Sequence, residues 1–244
     1  MRWDFIIKIS GILVALTGLA LVLPLACSFW YEEAAVVPLL QAMGVCLAAG
    51  LAVAMGLRRC TADTIAPREA MAIVAVGWTA VGLAGALPFY FSSDFGGFSD
   101  CLFESVSGFT TTGSTILTDI ESLPKGLLLW RSLIQWLGGM GIIVLSVAIL
   151  PFIGVGGMQL YKAEVPSPVP DKLKPRIRDT AMVMWKVYLI FTLAETGLLL
   201  AGGMSFFDAI NHAFTTMPTG GFSTKNASVA HYNSPAIDLS LIHI

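Results

Sequence analysis

Five stretches of about twenty apolar residues, 5–29, 37–57, 70–91, 126–150 and 182–204, constrain this chain more than anything else in it. About twenty such residues cross the hydrocarbon core of a bilayer as a helix. Lipid offers no hydrogen-bond partner to the backbone, so an uninterrupted apolar run must satisfy its own peptide groups, and a helix does so within one segment. Composition agrees: 56% of the 244 residues are hydrophobic and 12% are charged, against roughly 25% charged in soluble domains. The mean hydropathy is +0.78. The expected fold is an all-α polytopic membrane protein in contact with lipid. The net charge of -2 gives no basic patch for nucleic acid. Run 5–29 is too long for a signal-peptide core and lacks a small-x-small cleavage site, so it reads as a span. Pro24 and Pro88 sit near span ends, where a missing N–H costs least. A sixth span is expected to begin near Pro235.

Two segments between these runs have another character: 98–117, FSDCLFESVSGFTTTGSTIL, and 206–225, FFDAINHAFTTMPTGGFSTK. Each reads as a half-helix, about 99–109 and 207–216, followed by a Thr/Gly turn. Non-helical backbone at membrane depth is tolerated only where it is buried in protein or lines a water-filled path. There its carbonyls can replace the hydration shell of a cation. Glycine permits the positive φ that turns successive carbonyls one way, threonine is stiff at its first side-chain torsion, and a half-helix C-terminus carries partial negative charge. A plain Gly/Thr turn between spans is the simpler reading of either loop alone; their repetition in matched context favours an ion filter.

Eleven Lys and Arg residues fall on one set of loops and three, Lys125, Arg131 and Lys225, on the other. The positive-inside rule then places the N-terminus in the cytoplasm and brings both Thr/Gly loops in from outside. Span, half-helix, turn and span occur over 70–150 and restart at 182, an internal repeat. Aligning Gly113 with Gly220 puts Asp100 and Asp208 one residue out of step, which a single insertion would explain. The expected divisions are an extra two-span hairpin at 1–66, a first span–pore-helix–span repeat at 67–160, a linker at 161–181 and a second repeat at 182–244. The stretch 162–178, with Pro166, Pro168, Pro170 and Pro175, is expected to be extended.

FESVSGFTTTGST, the run WLGGMGIIVLSVAILPFIGVGGMQLYKAE at 136–164, and NHAFTTMPTGGFST resemble the Trk/Ktr/HKT superfamily of potassium transporters, nearest its bacterial TrkH type. The resemblance covers nearly the whole chain. It implies potassium uptake across the inner (plasma) membrane through four span–pore-helix–span repeats, a dimeric membrane subunit and a cytoplasmic nucleotide-binding TrkA-type regulatory partner. The transported ion is potassium, with no organic cofactor. Carried over by position, the first filter strand falls on Thr111, Thr112 and Gly113, flanked by Thr110 and Ser114, and the second on Thr219, Gly220 and Gly221. In this superfamily glycine in the first loop goes with potassium preference and serine with sodium, so Gly113 implies potassium. Four loops are implied and two are present, without counterparts of the third repeat's intramembrane gate or the fourth repeat's arginine. The ending DLSLIHI leaves the apolar pattern, so a fragment or frame-shifted end is expected. Half a ring cannot surround a cation, and a non-conducting remnant is the alternative, although two such chains would supply four loops.

Glu104 and His212, at related places on the half-helices, either bias cations at the mouth or bond to nearby backbone, and the second is expected. Glu195, deep in the last run, is a functional candidate by its depth or a hydrogen-bonded packing residue. Arg131 is expected to snorkel to the outer surface. Gly138, Gly139, Gly141, Gly154, Gly156 and Gly157 are expected to be helix-packing contacts. Four cysteines without a C-x-x-C pair indicate neither disulfides nor zinc. A rival of another class, an intramembrane hydrolase using Ser105 or Ser107 with His212, lacks a G-x-S-x-G elbow, so no enzyme is expected.

Overall fold

The computed structural model describes residues 1–60, 66–153 and 173–243, and among them all regular structure is helical. Nine α-helices occur in order: α1 Trp3–Ala20, α2 Val22–Trp30, α3 Val36–Gly56, α4 Pro67–Ser92, α5 Phe98–Phe109, α6 Lys125–Ile153, α7 Leu173–Ala201, α8 Phe206–Thr216 and α9 Pro235–His243. Among the described residues, four segments are long and apolar enough to cross a membrane: Trp3–Trp30, Val36–Gly56, Arg68–Ser92 and Thr180–Ala201. The run expected at 126–150 falls within α6, whose 29 residues extend about 44 Å at 1.5 Å per residue.

Proline chemistry shapes two of these helices. Pro24 has no N–H for the carbonyl of Ala20 and its ring crowds that carbonyl; the first span accordingly breaks at Leu21 into α1 and α2. Pro88, expected at a span end, instead lies inside α4, which continues to Ser92. It leaves the carbonyl of Ala84 without its usual donor, and the buried Cys46 thiol on α3 donates to that oxygen at 3.8 Å. A neighbouring side chain thus restores what proline removes. The expected extended stretch 162–178 is also corrected. Up to residue 172 it lies outside the described residues, but from Leu173 it is helical. Pro175 occupies the first turn, where helical N–H groups have no partner anyway.

Helices α1 and α3 pack on each other through small residues. A Cβ on Gly50 would stand 2.5 Å from the Ala15 backbone nitrogen, so only glycine allows this approach. The hairpin also reaches the helix that carries the site. The Glu33 carboxylate accepts from the N–H groups of Lys125 at 2.8 Å and Gly126 at 3.1 Å, capping α6. The Lys125 ammonium lies 3.6 Å from the Tyr31 ring centroid. Beneath this cap, Leu21, Leu39, Phe89, Phe95, Trp130 and Ile134 form one buried cluster, to which α3, α4, α6 and the connections at Leu21 and Phe95 contribute. The Trp130 indole donates to the Gly85 carbonyl at 3.0 Å, fixing α6 against α4.

Candidate ion-filter site

Two short helices aim their C-termini at two turns. Helix α5 starts where the Asp100 carboxylate accepts from the Gly97 N–H at 2.9 Å. Helix α8 starts where Ser205 Oγ accepts from the Asp208 N–H at 3.1 Å and donates to Asp208 Oδ2 at 2.8 Å. At its C-terminus, α5 is followed by Thr111 at φ 56° and Gly113 at φ 75°; α8 is followed by Thr219 at φ 58° and Gly221 at φ 80°. A β-branched residue in the left-handed region is an outlier that its surroundings must hold in place. The holding bonds are the same in both turns. Thr112 and Gly113 donate to the Ser107 carbonyl at 2.9 and 3.4 Å, and Gly220 and Gly221 donate to the Thr215 carbonyl at 2.9 and 3.2 Å.

These pairs fix the alignment of the repeats. Thr111 matches Thr219, Gly113 matches Gly221, Ser107 matches Thr215 and Asp100 matches Asp208, all at one constant offset. The expected pairing of Gly113 with Gly220, and the insertion it required, are therefore wrong. The Thr/Gly letters mislead because the backbone signature is a left-handed residue, one residue between, and a left-handed glycine. The middle residue is Thr112 in one turn and Gly220 in the other.

The structure brings the six expected filter residues into two adjacent strands in contact with each other. A Cβ on Gly113 would collide with the Gly220 carbonyl oxygen, so the two backbones touch there. Gly220 is buried, and its own Cβ position lies 2.5 Å from the Gln135 carboxamide on α6. Gln135 Oε1 accepts from the Phe222 N–H at 3.2 Å. Thr112, Thr219 and Gly221 are exposed. Beside the first strand, a cavity of about 470 Å³ is bounded by Thr110, Thr112 and Ser114 and by the outer face of α5.

Of the polar residues behind the strands, Arg131 is not where the sequence put it. Arg131 does not snorkel; it is 1% exposed and ion-paired to Glu104, itself 0% exposed, at 2.7 Å. Arg131 Nη1 donates to the Ser223 carbonyl at 3.3 Å and Nη2 to Thr115 Oγ1 at 3.3 Å. Its guanidinium carbon lies 4.3 Å from the Phe222 ring centroid. Glu104 accepts from the Thr115 hydroxyl at 2.9 Å and the Ile116 N–H at 3.2 Å, so it does bond nearby backbone, as expected, and is paired as well. Removing one partner of a buried pair costs about 3–5 kcal/mol, because the other charge is left uncompensated. Proximity to an apolar span end suggested snorkelling; the carboxylate one helix away decided otherwise.

His212 Nδ1 lies 2.8 Å from the Asp208 carbonyl, which only accepts, so Nδ1 carries the proton and Nε2 accepts from Ser223 Oγ at 3.1 Å. Ser105 donates to the Gly82 carbonyl at 2.8 Å and Ser107 to the Ser114 carbonyl at 2.6 Å. None of these bonds joins either serine to His212. Glu195 is buried, with Oε2 accepting from the Ser240 hydroxyl at 2.8 Å. Close packing holds at two of the expected glycines: Cβ atoms on Gly138 and Gly139 would meet the Phe109 carbonyl and the Pro218 ring. Gly141 makes only ordinary contact with Trp78 at 3.8 Å. Gly154, Gly156 and Gly157 lie outside the described residues.

A family model described as "TrkH: Cation transport protein" matches residues 41–244. The chain belongs to this family. It is 45% identical over 240 residues to the Trk system potassium uptake protein TrkH of Salmonella typhimurium, covering 98% of this chain and 50% of that one. The TrkH protein of Escherichia coli K12 is 44% identical over the same shares. The crystal structure of the potassium transporter TrkH from Vibrio parahaemolyticus matches with a TM-score of 0.88 at 37% identity, covering 100% of this chain and 49% of that one. The chain thus spans about half the length of the relatives it matches. It is a membrane protein of a cation-transport family, and its described residues have the TrkH helical architecture. Membership in a transport family leaves the hydrolase reading without support.

Proposed function

We propose that this chain takes part in potassium uptake across the cell inner membrane, contributing two adjacent strands, Thr111–Gly113 and Thr219–Gly221, to a carbonyl-lined filter. The observation that carries this reading is the repeated turn: the same two left-handed residues, the same pair of bonds to the half-helix and backbone contact between Gly113 and Gly220. Carbonyls held in place by such bonds need not reorganise when a cation sheds its water. Two strands make part of a ring, so conduction requires further strands from elsewhere.

The remaining reading is of the same kind. The N-terminus faces the cytoplasm, where the Lys and Arg excess lies. The chain divides into a hairpin at 1–66, a first repeat at 67–160, a linker at 161–181 and a second repeat from 182. The relatives are named as members of a Trk system, and the corresponding partners here are a cytoplasmic nucleotide-binding TrkA-type subunit and a second membrane subunit. The test is potassium uptake in a bacterium lacking its own uptake systems. Gly113→Ser adds a Cβ against the Gly220 carbonyl at φ 75° and is expected to lower potassium over sodium preference by about tenfold or more. An unchanged preference with uptake intact would remove Gly113 from the ion path.

A further inference from the structure

Arg131 is the one described side chain whose donors reach both strands. Its two contacts there, Thr115 Oγ1 and the Ser223 carbonyl, belong to equivalent positions, each two residues beyond the left-handed glycine of its strand. The residues facing these positions from the half-helices are also equivalent: Glu104 holds Thr115 and His212 holds Ser223. Each strand is therefore tied to its own half-helix, and Arg131 alone ties the two ties together. No arginine follows Arg178 in the sequence, so the second repeat's own strand has no such arginine, and among the described residues the cross-tie occurs once.

We propose that Arg131, neutralised by Glu104, is a positioning residue that sets the separation of the two strands and thereby the preference for potassium over sodium. This rests on reading the two strands as filter strands. Guanidinium suits the task because it is planar and rigid, with five donors in fixed directions, so one group can serve a carboxylate and two strands at once. An ammonium is compact and cannot span the three acceptors. The charge has its own consequence. A bare cation beside a cation path would oppose ion entry, and Glu104 at 2.7 Å cancels it. Geometry and charge are therefore separable by substitution.

The experiment measures rubidium uptake, with rubidium as the potassium tracer, and its competition by sodium in the uptake-deficient bacterium. Arg131→Lys keeps the charge and loses the fork; the preference for rubidium over sodium is expected to fall about tenfold. Glu104→Gln leaves the guanidinium unneutralised and lowers the rate, and Glu104→Gln with Arg131→Gln recovers rate while the preference stays low. Leu133→Ala, a buried change on the same helix away from the strands, is the control for general destabilisation and leaves the preference unchanged. A folded Arg131→Lys protein with wild-type preference would overturn the proposal. Hydrogen exchange on the purified chain gives a second reading: Arg131→Lys is expected to speed exchange about tenfold in both 111–117 and 219–225. Exchange that rises in neither strand, or equally everywhere, also overturns it. If the wild-type chain supports no uptake, the filter reading fails for this chain alone, while the exchange measurement still decides the strut.

Discussion

Gly113 and Gly220 touch each other, yet glycine is required at them for different reasons. Gly113 has φ 75° and a backbone carbonyl in the place of a Cβ, so any side chain there is strained and blocked at once. At Gly220 only space is lacking, and the obstacle is a side chain, the Gln135 carboxamide 2.5 Å away. Gly220→Ala should therefore cost about 1–3 kcal/mol by overpacking, and shortening Gln135 should recover part of it. In thermal unfolding of Gly220→Ala, Gln135→Ala and the double variant, the coupling is expected to exceed about 0.5 kcal/mol in the relieving direction. The same cycle with Gly113→Ala should show no relief, and equal behaviour of the two glycines would contradict this assignment. The glycines themselves were legible in the sequence as conformationally free positions. Gln135 was not, because one amide in an apolar run has no pattern, and only packing shows that it faces the second strand.

The helices were legible for a simple reason: a long apolar run in lipid has one way to satisfy its backbone. What joins one helix to another was less so, because those contacts depend on residues distant in sequence. Pro88 reads as a helix end until Cys46, on another helix, supplies a donor to the Ala84 carbonyl. Cys46→Val removes the donor while keeping similar bulk and is expected to lower stability by about 1 kcal/mol, whereas Cys46→Ser retains it and loses less; thermal unfolding in detergent compares them. Glu33 poses the same problem at the start of α6. It looks like an ordinary loop carboxylate, but it caps two N–H groups of the helix that carries Arg131 and Gln135. Glu33→Ala is expected to cost about 0.5–2 kcal/mol in the same assay. Both variants leave the strands' own bonds intact, so potassium over sodium preference should hold while abundance falls.

At the scale of the whole molecule, the two repeats are fastened at two places: behind the strands by Arg131, and at the loop that precedes α6 by Asn226. The Asn226 amide accepts from the Ile120 N–H at 2.7 Å and donates to Asp119 Oδ1 at 3.0 Å, while its backbone N–H donates to Glu121 Oε1 at 3.1 Å. One residue of the second repeat thus closes the loop that precedes α6 in the first. The Asn226 hydrogen bond holds the Asp119 carboxyl below its usual range, and bonds from Ser122 add to this. A carboxylate with its folded value depressed contributes to the latch above its unfolded value, near 3.9, and loses that contribution as pH falls through the folded value. The latch should therefore be fully closed at neutral pH and open only in acid below about pH 4. Hydrogen exchange of residues 118–124 between pH 3 and 7, corrected for intrinsic rates, should show protection lost at the acid end in the wild type. Asn226→Ala should remove that protection at every pH, and Asp119→Asn should keep part of it without the pH dependence. If Asp119→Asn still loses protection in acid, Asp119 is not the group that opens the latch.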